Sequence, residues 1–62
     1  YVPALEALID TLDHRISNLR KEAALALGEL QDPGAIAPLQ AAQDDGDPEV
    51  RKAVRIALSQ LQ

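Results

Sequence analysis

The sequence predicts an all-α fold, a short α-solenoid of four helices arranged as two stacked helical hairpins. Three observations predict it. Sliding the 62-residue chain by half its length aligns Ala4 with Ala35, Leu8 with Leu39, Asp13 with Asp44, Arg20 with Arg51 and Lys21 with Lys52. Ala26, Leu27, Leu30 and Gln31 likewise fall on Ala57, Leu58, Leu61 and Gln62. These nine identities need no gap, whereas the composition gives about three by chance, and self-similarity at such a period marks a repeat architecture. Alanine and leucine dominate, with no Phe, Trp, Met or Cys, so the core is built from small and aliphatic side chains suited to close helix–helix approach. Apolar residues also recur at helical spacing in each copy.

In the first copy, residues 1–31, Leu5, Leu8, Ile9 and Leu12 form one stripe of a helix from about Pro3 to Asp13. Pro3 sits in the first turn, where proline is tolerated. The second helix carries Leu19, Ala23, Ala26, Leu27 and Leu30 on one face with Leu25 on its flank, and Ser17 is its expected N-cap. In the second copy, residues 32–62, Asp32-Pro33 and Asp47-Pro48 each place a capping carboxylate before a first-turn proline. Glu49 adds a negative charge to the first turn, where the helix dipole favours it. Pro38 falls well inside its helix, where a proline costs about 3 kcal/mol unless the helix bends, so a kink is expected there. Gly28 and Ser59 occupy equivalent places near the ends of the second helices. A glycine there costs about 1 kcal/mol relative to alanine, and a small residue lets a neighbouring helix approach closely.

Size and charge bound the function. A chain this short buries about 60% of its unfolded surface and is usually stapled by a disulfide, a metal or a partner. With no cysteine, a disulfide and a thiolate metal site are excluded, which leaves a partner or more of the same chain. The chain opens with Tyr1 rather than methionine, and the expectation is one domain, 1–62, cut from a longer array. The lack of cysteine fits a reducing, cytoplasmic compartment. No apolar run approaches the ~20 residues that cross a bilayer, so no membrane insertion is expected. A formal charge of −4 argues against nucleic acid as a partner.

The stretches LRKEAALALGELQDPGAIAPL (19–39) and DPEVRKAVRIALSQLQ (47–62) resemble HEAT-like repeats of the short bacterial kind, the PBS-lyase HEAT-like repeats named after phycobilisome lyases. The carrying motifs are V-R-x-A at Val50–Ala53, L-G-x-L at Leu27–Leu30, the D-P pairs, and I-x-P-L at Ile36–Leu39. The resemblance covers essentially the whole chain. It implies a right-handed solenoid of outer and inner helices used mainly to bind proteins. Such repeats usually carry an aspartate six residues before the repeat arginine. Asp45 matches relative to Arg51, while His14 stands at the equivalent place before Arg20 and interrupts the Asp–Arg ladder. The second copy also has Arg55 for Ala24, and Gln40 and Gln43 for Ile9 and Leu12, which suits a polar terminal cap. Two copies are fewer than the three or so that stacked repeats need, so further repeats or another chain are expected over the apolar ends near Tyr1 and Leu61.

No catalytic set emerges. His14 is the sole histidine, and with Asp10 and Asp13 it makes an open, weak ligand set. HEAT-like deoxyhypusine hydroxylases bind iron through His-Glu pairs, and this chain has no second histidine. The hydroxyls are those of Tyr1, Thr11, Ser17 and Ser59, and capping explains Ser17 more simply than a triad with His14. Asp44, Asp45, Asp47 and Glu49 lack the spacing of a calcium loop. Neither a cofactor nor an enzymatic activity is therefore expected.

Charge is more informative. All six basic residues lie in two blocks, Arg15 to Lys21 and Arg51 to Arg55. Helical spacing sets Arg20 and Lys21 on one inner helix and Arg51, Lys52, Arg55 and Ser59 on the other, a repeating basic face for an acidic protein partner. Arg20 and Arg51 have a second reading, as internal locks pairing with Asp13, Asp44 or Asp45. The functional expectation is a non-catalytic interaction scaffold. The alternative, resting on the resemblance, is part of a phycobilin lyase or related chromophore-handling protein.

Overall fold

A computed structural model of the chain describes residues 3–61, with side chains from Leu5 onward. The readings that involve Tyr1 and Gln62 lie outside the described residues. The described chain forms α1 (Pro3–Thr11), α2 (Ser17–Leu30), α3 (Ile36–Ala41) and α4 (Pro48–Leu61), with single 3-10 turns at Pro33–Ala35 and Ala42–Asp44. The α1–α2 and α3–α4 pairs are two helical hairpins, and no strand occurs among the described residues.

The helix α1 ends because its last amides find three-residue partners. Leu12 N–H is shared between the carbonyls of Leu8 and Ile9, and Asp13 N–H bonds to Asp10 O at 3.1 Å. Helix α2 starts one residue away from the expected cap. Ile16 holds the extended N-cap conformation (φ −86, ψ 115) without a side-chain cap, and Ser17 is the first helical residue. The repeat register explains the difference, because Ile16 aligns with the capping Asp47 and Ser17 with Pro48. Helix α4 has the expected start: Asp47 Oδ1 accepts from Glu49 N–H at 2.8 Å. Asp32 Oδ1 accepts from Gly34 N–H at 2.8 Å in the same manner, but it caps a 3-10 turn. At its C-terminus α2 is closed by Gln31 in the left-handed region (φ 56), a place usually given to glycine.

The kink expected at Pro38 is replaced by a division of the outer segment. The 3-10 turn Pro33–Ala35 precedes α3, so Pro38 becomes the third residue of a six-residue helix. A first-turn residue has no intrahelical amide partner to lose, and the interior penalty is avoided.

The core lies where the two hairpins meet. Leu12, Ala23, Ala24 and Leu27 from the first pack with Ala35, Leu39, Val50, Ala53, Val54, Ala57 and Leu58 from the second. Fully burying each Leu or Val contributes about 1.5–3 kcal/mol. Leu19 and Val50 hold the same repeat position, yet Leu19 is 39% exposed and Val50 is 1% exposed. Val50 faces into the stack and Leu19 faces out of it.

Gly28 sets the spacing of α2 and α4. It is buried, and a Cβ built there would stand 2.7 Å from Ala57 Cα and would also strike the Gln60 side chain. The obstacle is backbone, which cannot swing aside. At an open helical site Gly→Ala gains about 1 kcal/mol of helix propensity. Here Gly28→Ala is expected to destabilise the chain by about 1–3 kcal/mol through overpacking. Ser59→Ala, at the equivalent but exposed position, should stay within about 0.5 kcal/mol of wild type. Urea unfolding of the two variants reads the difference, and a stabilised Gly28→Ala would refute the close approach.

Candidate functional site

The polar side chains of the turns and inner helices fall into three groups. The first is a lock between the hairpins. Arg20 donates from Nε to Asp45 Oδ2 at 2.8 Å and from Nη2 to Asp45 Oδ1 at 3.0 Å, a bidentate pair across the repeat boundary. Its third nitrogen, Nη1, donates to the carbonyls of His14 (2.8 Å) and Arg15 (3.1 Å), tying the turn of its own repeat. Arg51 repeats that last contact, donating from Nη1 to Asp45 O at 2.7 Å. Asp45 thus holds both arginines, one by its side chain and one by its carbonyl. The Arg20 and Asp45 side chains are 18% and 11% exposed, so the pair is mostly sheltered from water.

The electrostatics follow the geometry. The hydrogen bond from Arg20, with smaller help from the Asp47 amide and the nearby guanidinium charges, holds the Asp45 carboxyl below the usual carboxylate range against the opposing effect of burial. The same bond raises Arg20 further above its already high value. Asp47 is also lowered, first by the Glu49 amide and then by the Ser17 hydroxyl that faces it from the other hairpin.

His14 has a structural duty in the first turn. Its Nδ1 accepts from Ile16 N–H at 3.1 Å, and Asp45 Oδ1 accepts from Asp47 N–H at 2.9 Å in the second turn. The imidazole reproduces the local bond of the aspartate it replaces. Asp13 and Asp44 are exposed, and Arg20 takes Asp45 rather than either of them. Among the described residues no group of three or more His, Asp or Glu side chains could hold a metal ion.

The second group lies on the open side of α2 and α4. Lys21, Leu25, Glu49, Lys52, Ala53 and Ile56 line a shallow groove of about 180 Å³. Lys21 and Lys52 are repeat equivalents, as are Leu25 and Ile56, which makes the groove a pair of matched apolar and basic positions. Ile56 is 42% exposed. Sequence reasoning picked out the lysines and missed the apolar floor. The signal was present in the aligned Leu25 and Ile56, each four residues after a lysine and so on the same helix face.

Arg51, Arg55 and Ser59 form the third group, at 51, 55 and 59 along one stripe of α4. Their equivalents on α2 are Arg20, Ala24 and Gly28, of which the last two are buried beneath α4. Arg55 and Ser59 are exposed, and the Ser59 hydroxyl donates to Ile56 O of its own helix at 2.9 Å. Arg20 is engaged inside the chain with Asp45, in keeping with its second reading as an internal lock. Lys21 and Lys52 flank the groove, while Arg51, Arg55 and Ser59 share another stripe of α4. A second cleft, of about 300 Å³, lies between the end of α1 and α3 and is lined by Ile9, Leu12, Asp13, Pro38, Ala41, Ala42, Asp44 and Asp45.

The lock has a pH signature. Asp45 in the folded chain lies below its ordinary 3.8. The stability it contributes is therefore full above that value and is lost as pH falls through the lower folded-state value. Asp45→Asn should be less stable than wild type at pH 7, with the gap closing as the pH drops below about 4. Parallel unfolding curves at both ends of that range would contradict the lock. For the first turn, His14→Ala removes an acceptor and should cost about 0.5–1.5 kcal/mol. His14→Asp, which keeps one, should match wild type in thermal unfolding, and equal losses in both would show the Nδ1 bond to be idle.

Comparison with known proteins agrees with this architecture. The family model for HEAT repeats matches residues 2–61. The chain is 46% identical over 61 residues to the phycocyanobilin lyase subunit alpha of Synechococcus elongatus, with 94% of this chain and 22% of that protein covered. The chain thus spans about a fifth of the length of that relative. HEAT repeats generally mediate protein interaction, and no helix among the described residues is long and apolar enough to cross a membrane. With two stacked hairpins, an arginine–aspartate lock between them and a family match over nearly all of its length, the chain belongs to the HEAT-repeat family.

Proposed function

We propose that this chain is a non-catalytic interaction module that takes an acidic protein segment along the open face of α2 and α4. The observation that carries the reading is the groove in which Lys21 and Lys52 flank Leu25, Ala53 and Ile56. An extended or helical segment that inserts an apolar side chain between carboxylates meets an apolar floor and two ammonium groups there. Neither lysine has a part in the lock between the hairpins, which uses Arg20, Asp45 and Arg51. Burial of the floor supplies the affinity, and the lysines supply orientation and rate. Solenoid surfaces extend by repetition, so two repeats offer a short version of such a face. Glu49 at the groove edge sets a limit on how many carboxylates the segment brings close.

Capture from the source cell's lysate by the wild-type chain and by Lys21→Glu/Lys52→Glu tests this directly. The expected result is a specific protein held by wild type and at least about tenfold depleted on the folded variant, since reversing rim charges opposes an acidic partner. Identical capture by both would overturn the groove.

A second reading has one observation in its favour, the 46% identity to a phycocyanobilin lyase subunit. On that reading the chain is a segment of a chromophore-handling lyase, and the lysines face the acidic groups of a bilin. Mixing the chain with phycocyanobilin and recording the absorbance band separates the two. A shifted band lost in the lysine variant supports the lyase segment, and an unchanged band at high micromolar protein excludes it.

A further inference from the structure

The turn before α4 carries a reactive pair of residues. Of the ten acidic residues in the chain, Asp45 alone is followed by a glycine. The peptide nitrogen after an aspartate can attack the side-chain carboxyl, and the attack is fastest where the following residue has no side chain to crowd it. Gly46 is exposed, and a Cβ built there would meet nothing within 4 Å, so no neighbour hinders the residue. Asp32 and Asp47 precede prolines, which have no N–H to lose. In the first repeat His14 stands at this place and Arg15 follows it, so the reactive pair occurs in one of the two turns.

The fold holds this pair in a protected form. Both carboxylate oxygens of Asp45 are engaged, Oδ2 by Arg20 Nε at 2.8 Å, and Oδ1 by Arg20 Nη2 at 3.0 Å and the Asp47 amide at 2.9 Å. Ring closure needs one of these oxygens protonated so that it leaves as water, and the guanidinium keeps the group ionised. The backbone is held as well. Asp45 is extended (φ −53, ψ 141), and its carbonyl accepts from Arg51 Nη1 at 2.7 Å. A five-membered ring requires ψ to turn until the Gly46 nitrogen eclipses Cβ, and that rotation carries the carbonyl away from Arg51.

We propose that Asp45-Gly46 is a site of spontaneous isomerisation to isoaspartate, guarded by the closure of the two hairpins through Arg20. The Gly46 nitrogen attacks Asp45 Cγ, the amide proton and the carboxyl hydroxyl depart as water, and a succinimide forms. Water then adds to the former backbone carbonyl carbon, and the C–N bond at that carbon breaks. The chain now continues through Cγ, with no net change of mass. The two acceptors thereby exchange roles: the group facing Arg20 becomes a peptide carbonyl, and the group facing Arg51 becomes the free carboxylate. The bidentate pair with Arg20 is lost, so a boundary that has opened long enough to react cannot close in the same way. This chemistry is independent of the groove.

The test incubates the whole chain at mildly acidic pH and follows isoaspartate by enzymatic methyl transfer from S-adenosylmethionine, with the position read by peptide fragmentation. The expected result is slow isomerisation of the folded wild type, centred on position 45. In Arg20→Gln the rate should rise by roughly tenfold, the effect expected of losing charge-assisted hydrogen bonds to a sheltered carboxylate. Gly46→Ala keeps the fork and should slow the reaction by crowding the nitrogen. Val54→Ala opens the buried core and removes no bond of the fork. At urea concentrations that leave equal fractions folded, Arg20→Gln should still isomerise faster than Val54→Ala, and fully unfolded wild type and Arg20→Gln should react alike. A folded Arg20→Gln that is no faster than wild type, equal rates for Arg20→Gln and Val54→Ala at equal folded fraction, or modification centred on another aspartate would overturn the proposal.

Discussion

The near contact of α2 and α4 at Gly28 constrains everything else in this small chain. Gly28 offers no side chain, and the backbone at Ala57 occupies the space a Cβ needs. The buried core between the hairpins is composed of alanine, valine and leucine, with Ile9 and Ile36 packed against it. A core of small side chains buries less area per residue than one with aromatics, so a chain of this length gains stability from how closely its helices approach. The same proximity brings the N-terminal turn of α2 within reach of the turn before α4, and this allows Arg20 to span the boundary to Asp45.

The lock then organises the turns. A single aspartate accepts from Arg20 through its carboxylate, from Arg51 through its carbonyl, and from the Asp47 amide through Oδ1. Removing such a residue disturbs two helices and one turn at once. The bidentate geometry of these charge-assisted bonds ties the two hairpins together at a mostly sheltered site. The first turn lacks this aspartate and survives through His14, whose Nδ1 satisfies the local amide. An imidazole nitrogen and a carboxylate oxygen each accept the local amide of their turn, and the carboxylate of Asp45 also takes the Arg20 guanidinium.

A repeated sequence does not give repeated surfaces. Arg20 and Arg51 hold the same repeat position and the same carbonyl anchor, and they differ because only Arg20 lies between the two described hairpins. Leu19 and Val50 differ in burial for the same reason. The groove, in contrast, is built from matched positions of both repeats, Lys21 with Lys52 and Leu25 with Ile56, since the open side of an inner helix faces solvent in either copy.

Much of the fold was legible in the residues themselves. The half-length duplication, the apolar spacing and the Asp-Pro pairs determined four helices and placed the starts of the second-copy elements, because capping and periodicity are local. The small residue at Gly28 was readable as a point of close approach, and the basic positions as two related blocks. What the sequence alone did not decide were relations across the stack. The choice of Asp45 over Asp13 or Asp44 depends on which carboxylate the turn before α4 turns toward Arg20. The start of α2 at Ser17 follows the register of its repeat against a local capping preference, and the division of the outer segment around Pro38 depends on where the 3-10 turn Pro33–Ala35 ends. The pairing of Arg20 with Asp45 and the meeting of Lys21 with Lys52 at one groove likewise depend on packing. Spacing along one helix tells which residues share a stripe, and only the neighbouring helix determines whether that stripe is buried, paired or open.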